Sequence, residues 1–184
     1  MNLDNAVKLS IPLIVGEEGV RTNAYWDVNG YAIGYGNHYY KNGSAVKQGD
    51  TISKSDAYDL MAFYVRQFAN DILPGIKVEI SDYNMAALIS LAYNCGEGVR
   101  NSTLFTLINN HASEQEIEAQ YKKTCVTSKG VYNPTLAQRR INELKVFAMD
   151  VQNLIDKNRW AVPVTGFLVF GTIGYILWKV ARKN

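Results

Sequence analysis

The stretch Glu18–Gly36, EGVRTNAYWDVNGYAIGYG, decides how this chain folds. It is rich in tyrosine and glycine, and Asn29-Gly30 is the strongest short signal for a β-hairpin. Ala24 to Gly36 therefore reads as a small β element. Upstream, Ile11 to Val15 is an apolar run of the kind found on one face of a helix. Ser10 is the candidate N-cap of that helix, with Pro12 tolerated in its first turn. The helix would carry Leu13, Ile14 and Glu18 up to the hairpin. Downstream, Asn42-Gly43 marks a second turn.

Everything after Ser53 reads as helix. Ser53 or Ser55 caps a long stretch that stops at Pro74-Gly75. Ser81 caps another, in which Met85, Leu88, Ile89 and Ala92 recur at i, i+3, i+4 and i+7. Asn101 or Ser102 opens a short helix through Leu104, Leu107 and Ile108. Ser113 with Glu116 has capping-box spacing, and Asn133-Pro134 opens a last long helix. A helix, a small sheet and a helical bundle in that order make an α+β domain, with its cleft expected between the two lobes.

Composition narrows the function. The chain has 184 residues, 47% of them hydrophobic and 20% charged, which suits a folded protein. A formal net charge of +2 argues against a dedicated nucleic-acid binder, which carries a strong basic patch. Cys95 and Cys125 lack Cys-x-x-Cys spacing and only two histidines accompany them, so no metal or other cofactor is expected. The cysteines are either two reduced, buried thiols or, in an oxidising compartment, a disulfide. The N-terminus has no basic start followed by a long apolar run, so it does not read as a secretory signal peptide.

Composition shifts abruptly near residue 160. Trp160 to Trp178, WAVPVTGFLVFGTIGYILW, holds no charge. At helical rise it covers about 28 Å, close to the thickness of a bilayer core. A tryptophan stands at each end, as an interfacial aromatic belt requires. Lys157 and Arg159 flank one side, and Lys179, Arg182 and Lys183 flank the other. The expected organisation is a domain over residues 1–155, then a single-pass transmembrane anchor with a short basic tail over 156–184; the alternative is a buried core helix that ends the domain. Residues 160–178 would contact membrane lipid. The basic excess favours a cytoplasmic C-terminus, which places the domain on the outer side of the membrane.

Glu17, Glu18 and Asp27 cluster at the expected helix-to-hairpin junction. Cleavage of a glycosidic bond uses two carboxyl groups: a protonated acid for the leaving oxygen, and a second carboxylate that positions water, attacks, or stabilises the oxocarbenium-like state. An apolar surrounding raises the pKa of the first, and Glu18 follows the apolar run. Two acids nine residues apart are common in proteins, so spacing alone does not select this chemistry over a solvated helix end and a turn residue.

Three blocks together resemble the phage-type lysozymes and endolysins of glycoside hydrolase family 24. The first is Glu18-Gly19-Val20-Arg21-x-x-Ala24-Tyr25-x-Asp27-x-x-Gly30 with Ile33-Gly34-Tyr35-Gly36. The second is Ala87-Leu88-Ile89-Ser90-Leu91-Ala92-Tyr93-Asn94-Cys95-Gly96, followed by Ser102-Thr103-Leu104 and Asn109. The third is Leu136-x-x-Arg139-Arg140-x-x-Glu143-Leu144. They occur in family order. The resemblance implies a lysozyme-like α+β fold with a small hairpin lobe and a helical lobe. It implies a muramidase acting on bacterial peptidoglycan between N-acetylmuramic acid and N-acetylglucosamine. Glu18 would be the general acid and Asp27 the second carboxylate. Arg21 would support the acid by a salt bridge, while Arg139 and Arg140 read as structural ion pairs. Tyr25, Tyr35 and Asn94, all inside the matched blocks, are the expected substrate-binding side chains. The aromatic group Tyr25, Trp26, Tyr31, Tyr35, Tyr39 and Tyr40 serves either packing or sugar recognition.

The chain departs from the family pattern at one chemically important point. Ala32 stands where a threonine hydroxyl helps to hold the attacking water, and the hairpin is one residue shorter between Gly30 and Ile33. Alanine offers water no hydrogen bond. A nearby group replaces the hydroxyl, or hydrolysis is reduced, or the outcome becomes transglycosylation. Gly36-Asn37-His38 likewise replaces the usual Gly-His, and His38 reads as a surface residue. The expected role is peptidoglycan cleavage from a membrane anchor, for host lysis or for opening the wall during genome delivery, with virion proteins as candidate partners. The alternatives are a lysozyme-fold structural or binding protein of a virion and a lytic transglycosylase.

Overall fold

The computed structural model describes residues 1–149. Helix α1 (Leu3–Glu18) leads into a two-stranded antiparallel hairpin, β1 (Arg21–Asp27) and β2 (Gly30–Gly34). Five helices follow: α2 (Lys54–Ile72), α3 (Asp82–Cys95), α4 (Thr103–Asn109), α5 (Glu114–Tyr121) and α6 (Pro134–Phe147). A second small ladder, β3 (Thr127–Ser128) and β4 (Val131–Tyr132), precedes α6. The expected hairpin lobe and helical lobe are both present. The expected membrane segment lies outside the described residues. Among the described residues no helix is long and apolar enough to cross a bilayer.

Most helix starts follow local capping chemistry. The side chains of Ser53, Ser81, Ser113 and Asn133 each accept a backbone N–H of the first turn. Ser81 and Ser113 form reciprocal capping boxes with Asn84 and Glu116. Ser102 opens α4.

Three expectations need correction. Helix α1 begins at Leu3, not after Ser10. Asn2 is its N-cap, accepting from the Asn5 amide. Ser10 is buried inside the helix, with its hydroxyl donating to the Val7 carbonyl (2.8 Å). Pro12 sits mid-helix; its lost hydrogen bond is outweighed by the burial of Ala6, Val7, Ser10 and Ile14 along the same helix. Second, the β1–β2 turn is centred on Val28 and Asn29, because Asp27 pairs with Gly30. Neither central residue has positive φ, and Gly30 closes the turn at φ +145°. Third, residues 127–132 are not helical. Lys129 and Gly130 both take positive φ (50° and 77°), as a tight type I′ connection requires.

Helix α3 is the axis of the helical lobe. All eight residues from Met85 to Ala92 are buried, so it is enclosed on every side rather than along one stripe. Ile14 of α1, Met61 and Val65 of α2, and Phe105 and Tyr121 of the later helices join its core. A separate small cluster of Ile33, Val46 and Leu60 ties the hairpin lobe to α2. Glu18 and the hairpin therefore stand where the two lobes meet.

Candidate active site

Glu18 is the last residue of α1, which ends as Gly19 turns to φ +64°. Its side chain is 25% exposed and is ion-paired with Arg139 of α6. The backbone of Gly36 faces it: a Cβ at Gly36 (φ +86°) would stand 3.6 Å from Glu18 Oε2. The carboxylate is thus bounded by a guanidinium and a bare backbone rather than the apolar wall expected from sequence.

The Gly36 segment is held from behind. Tyr93 of α3 donates its hydroxyl to the Tyr35 carbonyl (3.0 Å) and accepts from Asn37 Nδ2 (3.2 Å). Burial pushes the Tyr93 phenol well above its ordinary pKa despite the Asn37 hydrogen bond, so the hydroxyl stays a donor.

Arg139 belongs to a buried ionic cluster. Its Nε lies 3.3 Å from Glu143 Oε1, and Arg140 Nε lies 2.9 Å from Glu143 Oε2. Ser90 Oγ donates to Glu143 (2.8 Å), as does the Tyr121 hydroxyl (3.3 Å). Buried charge survives in a protein when it is paired and its lone pairs are filled. Burial pushes the Glu143 carboxyl up while the two arginines pull against it. For Arg139 burial opposes the charge, but Glu18 and Glu143 outweigh it and hold the guanidinium above its ordinary value. The sequence reading gave the support of Glu18 to Arg21. Instead Arg21 lies over the Tyr25 ring, 4.2 Å from its centre, and Arg139 makes the pair.

Asp27 ends β1 and is partly exposed. Its Oδ1 accepts the Val28 amide (2.8 Å), while Oδ2 faces His38 Nε2 at 3.6 Å. His38 is not the free surface residue expected. Its Nδ1 lies 3.0 Å from the Tyr31 carbonyl, and the side chain is 33% exposed. Ala32 is fully buried opposite Tyr25 in the hairpin.

The other expected site residues fall in different places. Tyr25 is half-buried, two residues from Asp27 on the same strand face. Burial first, then the negative charges of Asp27 and Glu18, raises its phenol pKa, with Arg21 opposing. Tyr35 is buried in the main core. Asn94 turns its Oδ1 to Arg140 Nη2 (3.1 Å). Trp26 projects to solvent on the opposite strand face, edge-on to Tyr31. A shallow depression of about 560 Å³ lined by Tyr40, Asn42, Ile52 and Asp56 lies between the hairpin lobe and α2 and includes neither catalytic candidate. Sequence reasoning missed Tyr93, Asn37 and the Glu143 cluster as supports. The i, i+3 and i, i+4 spacing of Arg139, Arg140 and Glu143 was the available signal.

Residues 15–143 match the phage lysozyme family. The chain is 34% identical over 150 residues to the endolysin of Bacillus phage B103, across 80% of this chain and 54% of that protein. It is 36% identical over 178 residues to the endolysin of Bacillus phage PZA, across 95% of this chain and 66% of that one. It thus spans between about half and two thirds of the length of these relatives. Its fold superimposes on the endolysin from Escherichia coli O157:H7 phage FAHEc1 with a TM-score of 0.70 at 28% identity, covering 80% of this chain and 93% of that one.

Proposed function

Because the chain belongs to the phage lysozyme family, we propose that it is a muramidase that hydrolyses the N-acetylmuramic acid to N-acetylglucosamine bond of bacterial peptidoglycan. The observation that carries this reading is the mounting of Glu18. A carboxyl group at a helix end, backed by the buried Arg139 and faced by the bare Gly36 backbone, is rigid on one side and open to substrate on the other.

In this mechanism the glycan lies along the junction of the two lobes. Protonated Glu18 donates to the leaving glycosidic oxygen as the C1–O bond breaks. Asp27 stabilises the positive charge that develops on the sugar and orients the attacking water. Arg139 balances the carboxylate left on Glu18. Tyr25, with its neutral phenol beside both acids, is placed to donate to a sugar oxygen. Tyr35 and Asn94 contribute from behind, through the Tyr93 and Arg140 contacts.

Release of reducing ends from purified peptidoglycan by the full chain tests this reading. Glu18→Gln is expected to lower the rate by about 1,000-fold, within the range of general acid catalysis, and Asp27→Asn by a similar amount. A wild-type chain that releases nothing overturns it. The buried methyl of Ala32 favours one second reading, a lytic transglycosylase. Anhydro-sugar products that persist in Asp27→Asn would select it.

We read the uncharged run from Trp160 to Trp178 as a single-pass membrane anchor that holds the enzyme at a host envelope or virion membrane, for lysis or for wall opening during genome delivery. Its support is the length of the run, its tryptophan ends and its basic flanks. Full-length chain that leaves membranes on an alkaline carbonate wash overturns the anchor without touching the muramidase reading.

A further inference from the structure

We propose that His38 is the base of this reaction, sharing the attacking water with Asp27 and taking its proton; the inference rests on the muramidase reading. The geometry begins at Nδ1. It lies 3.0 Å from the Tyr31 carbonyl oxygen, which can only accept, so Nδ1 carries the ring proton. In its neutral form the ring then presents a bare Nε2 lone pair to Asp27.

Nε2 stands 3.6 Å from Asp27 Oδ2, beyond a direct hydrogen bond. The other carboxylate oxygen is already occupied by the Val28 amide. In that form two acceptors face one another. A water molecule, with two hydrogens, satisfies both. Both side chains are partly exposed, 33% and 46%, so water reaches them. The buried Ala32 methyl has no group to compete for this role.

The backbone that carries the ring is pinned on both sides. The Val46 amide donates to the His38 carbonyl (2.8 Å), and Asn37 exchanges backbone hydrogen bonds with Ile33. Among the described residues, the groups placed at the imidazole are Asp27 from β1 and the Tyr31 carbonyl and Gly30 from β2. Asp27 is the titratable one among them.

The step balances. The water oxygen forms its bond to C1 as the bond from C1 to the leaving oxygen breaks. Glu18 gives its proton to that leaving oxygen. The water proton passes to Nε2, because imidazole is a stronger base than a carboxylate, and Asp27 then faces an imidazolium. Solvent removes the proton from His38 and returns one to Glu18.

The test uses the full chain and purified peptidoglycan. His38→Gln keeps a polar group but cannot take a proton. It is expected to lower kcat by about 100-fold with KM little changed, and to abolish an acid-side limb in the pH profile. Imidazole in solution is expected to restore part of the rate to His38→Ala. Wild-type release with His38→Gln within about threefold of it and an unchanged acid limb overturns the inference and leaves the muramidase reading standing. A wild-type chain that releases nothing fails at the earlier step. Nitrogen-15 NMR of the wild-type ring decides the tautomer independently of any variant's folding. A proton on Nε2 at neutral pH overturns the assignment, and a bare Nε2 supports it.

Discussion

Arg139 is the residue on which stability and the candidate chemistry converge. It neutralises two carboxylates, one at the site and one in the core. Among the described residues, Arg139→Leu leaves Glu143 with one guanidinium and Glu18 with none. Breaking a buried ion pair from one side is strongly destabilising. The variant is expected to lose about 3 kcal/mol in urea unfolding, and whatever folds is expected to cleave peptidoglycan more slowly. A variant as stable as the wild type would show that the cluster is slack. The two cysteines are free, and they differ from the expected buried thiols in exposure, since Cys125 is exposed and Cys95 half-buried. A hydrogen bond from Cys95, aided by the Arg140 charge, lowers the Cys125 thiol to about 7. The same hydrogen bond, with burial, pushes Cys95 up. The thiolate is the reactive form. A thiol-specific disulfide reagent at neutral pH is therefore expected to react in one fast and one slow phase, with Cys125→Ser removing the fast one.

At the scale of the elements, the N-termini of α1 and α3 are fastened together by Asp82. Its carboxylate accepts from the Asn2 amide (2.5 Å) and from Asn5 Nδ2 (2.7 Å). These hydrogen bonds, Asn5 first, hold its pKa below the ordinary 3.8. A lowered folded-state value means that the stabilisation is complete above that ordinary value and is lost as pH falls through the lowered one. Because Asp82 is partly exposed, Asp82→Asn is expected to cost less than about 1 kcal/mol at neutral pH. The gap between variant and wild type should close in strongly acidic buffer. A gap that widens on acidification would reverse the sign of the linkage. This fastening also explains why α1 begins earlier than its own sequence signals suggest. Its first two turns are held by Asn2, Asp82 and buried Ala6 and Val7, against the local cost of Pro12.

At the scale of the whole molecule, α3 supports everything else. It supplies the core, holds the Gly36 segment through Tyr93, and anchors the ionic cluster through Ser90. Leu88→Ala, in a site with no exposure, is expected to lower unfolding free energy by about 3 kcal/mol. Ile141→Ala on the 39% exposed face of α6 should change it by less than about 0.5 kcal/mol. Equal effects would mean that α3 is not the packed centre of the domain.

The amino-acid sequence by itself determined the α+β class, the family and most element starts. Ser53, Ser81, Ser113 and Asn133 cap helices through bonds to residues two or three positions away, so a short window contains the cause. It also pointed to Glu18 and Asp27, whose motif is contiguous. What surrounds those two carboxylates was decided only by tertiary structure. Arg139 reaches Glu18 across 121 positions of sequence, and the Glu143 cluster joins α3, α5 and α6. His38 meets Asp27 only because the hairpin and the loop after it fold back on each other. Burial and partner choice depend on which helices enclose a side chain, and that is a property of the assembled core rather than of any window of residues.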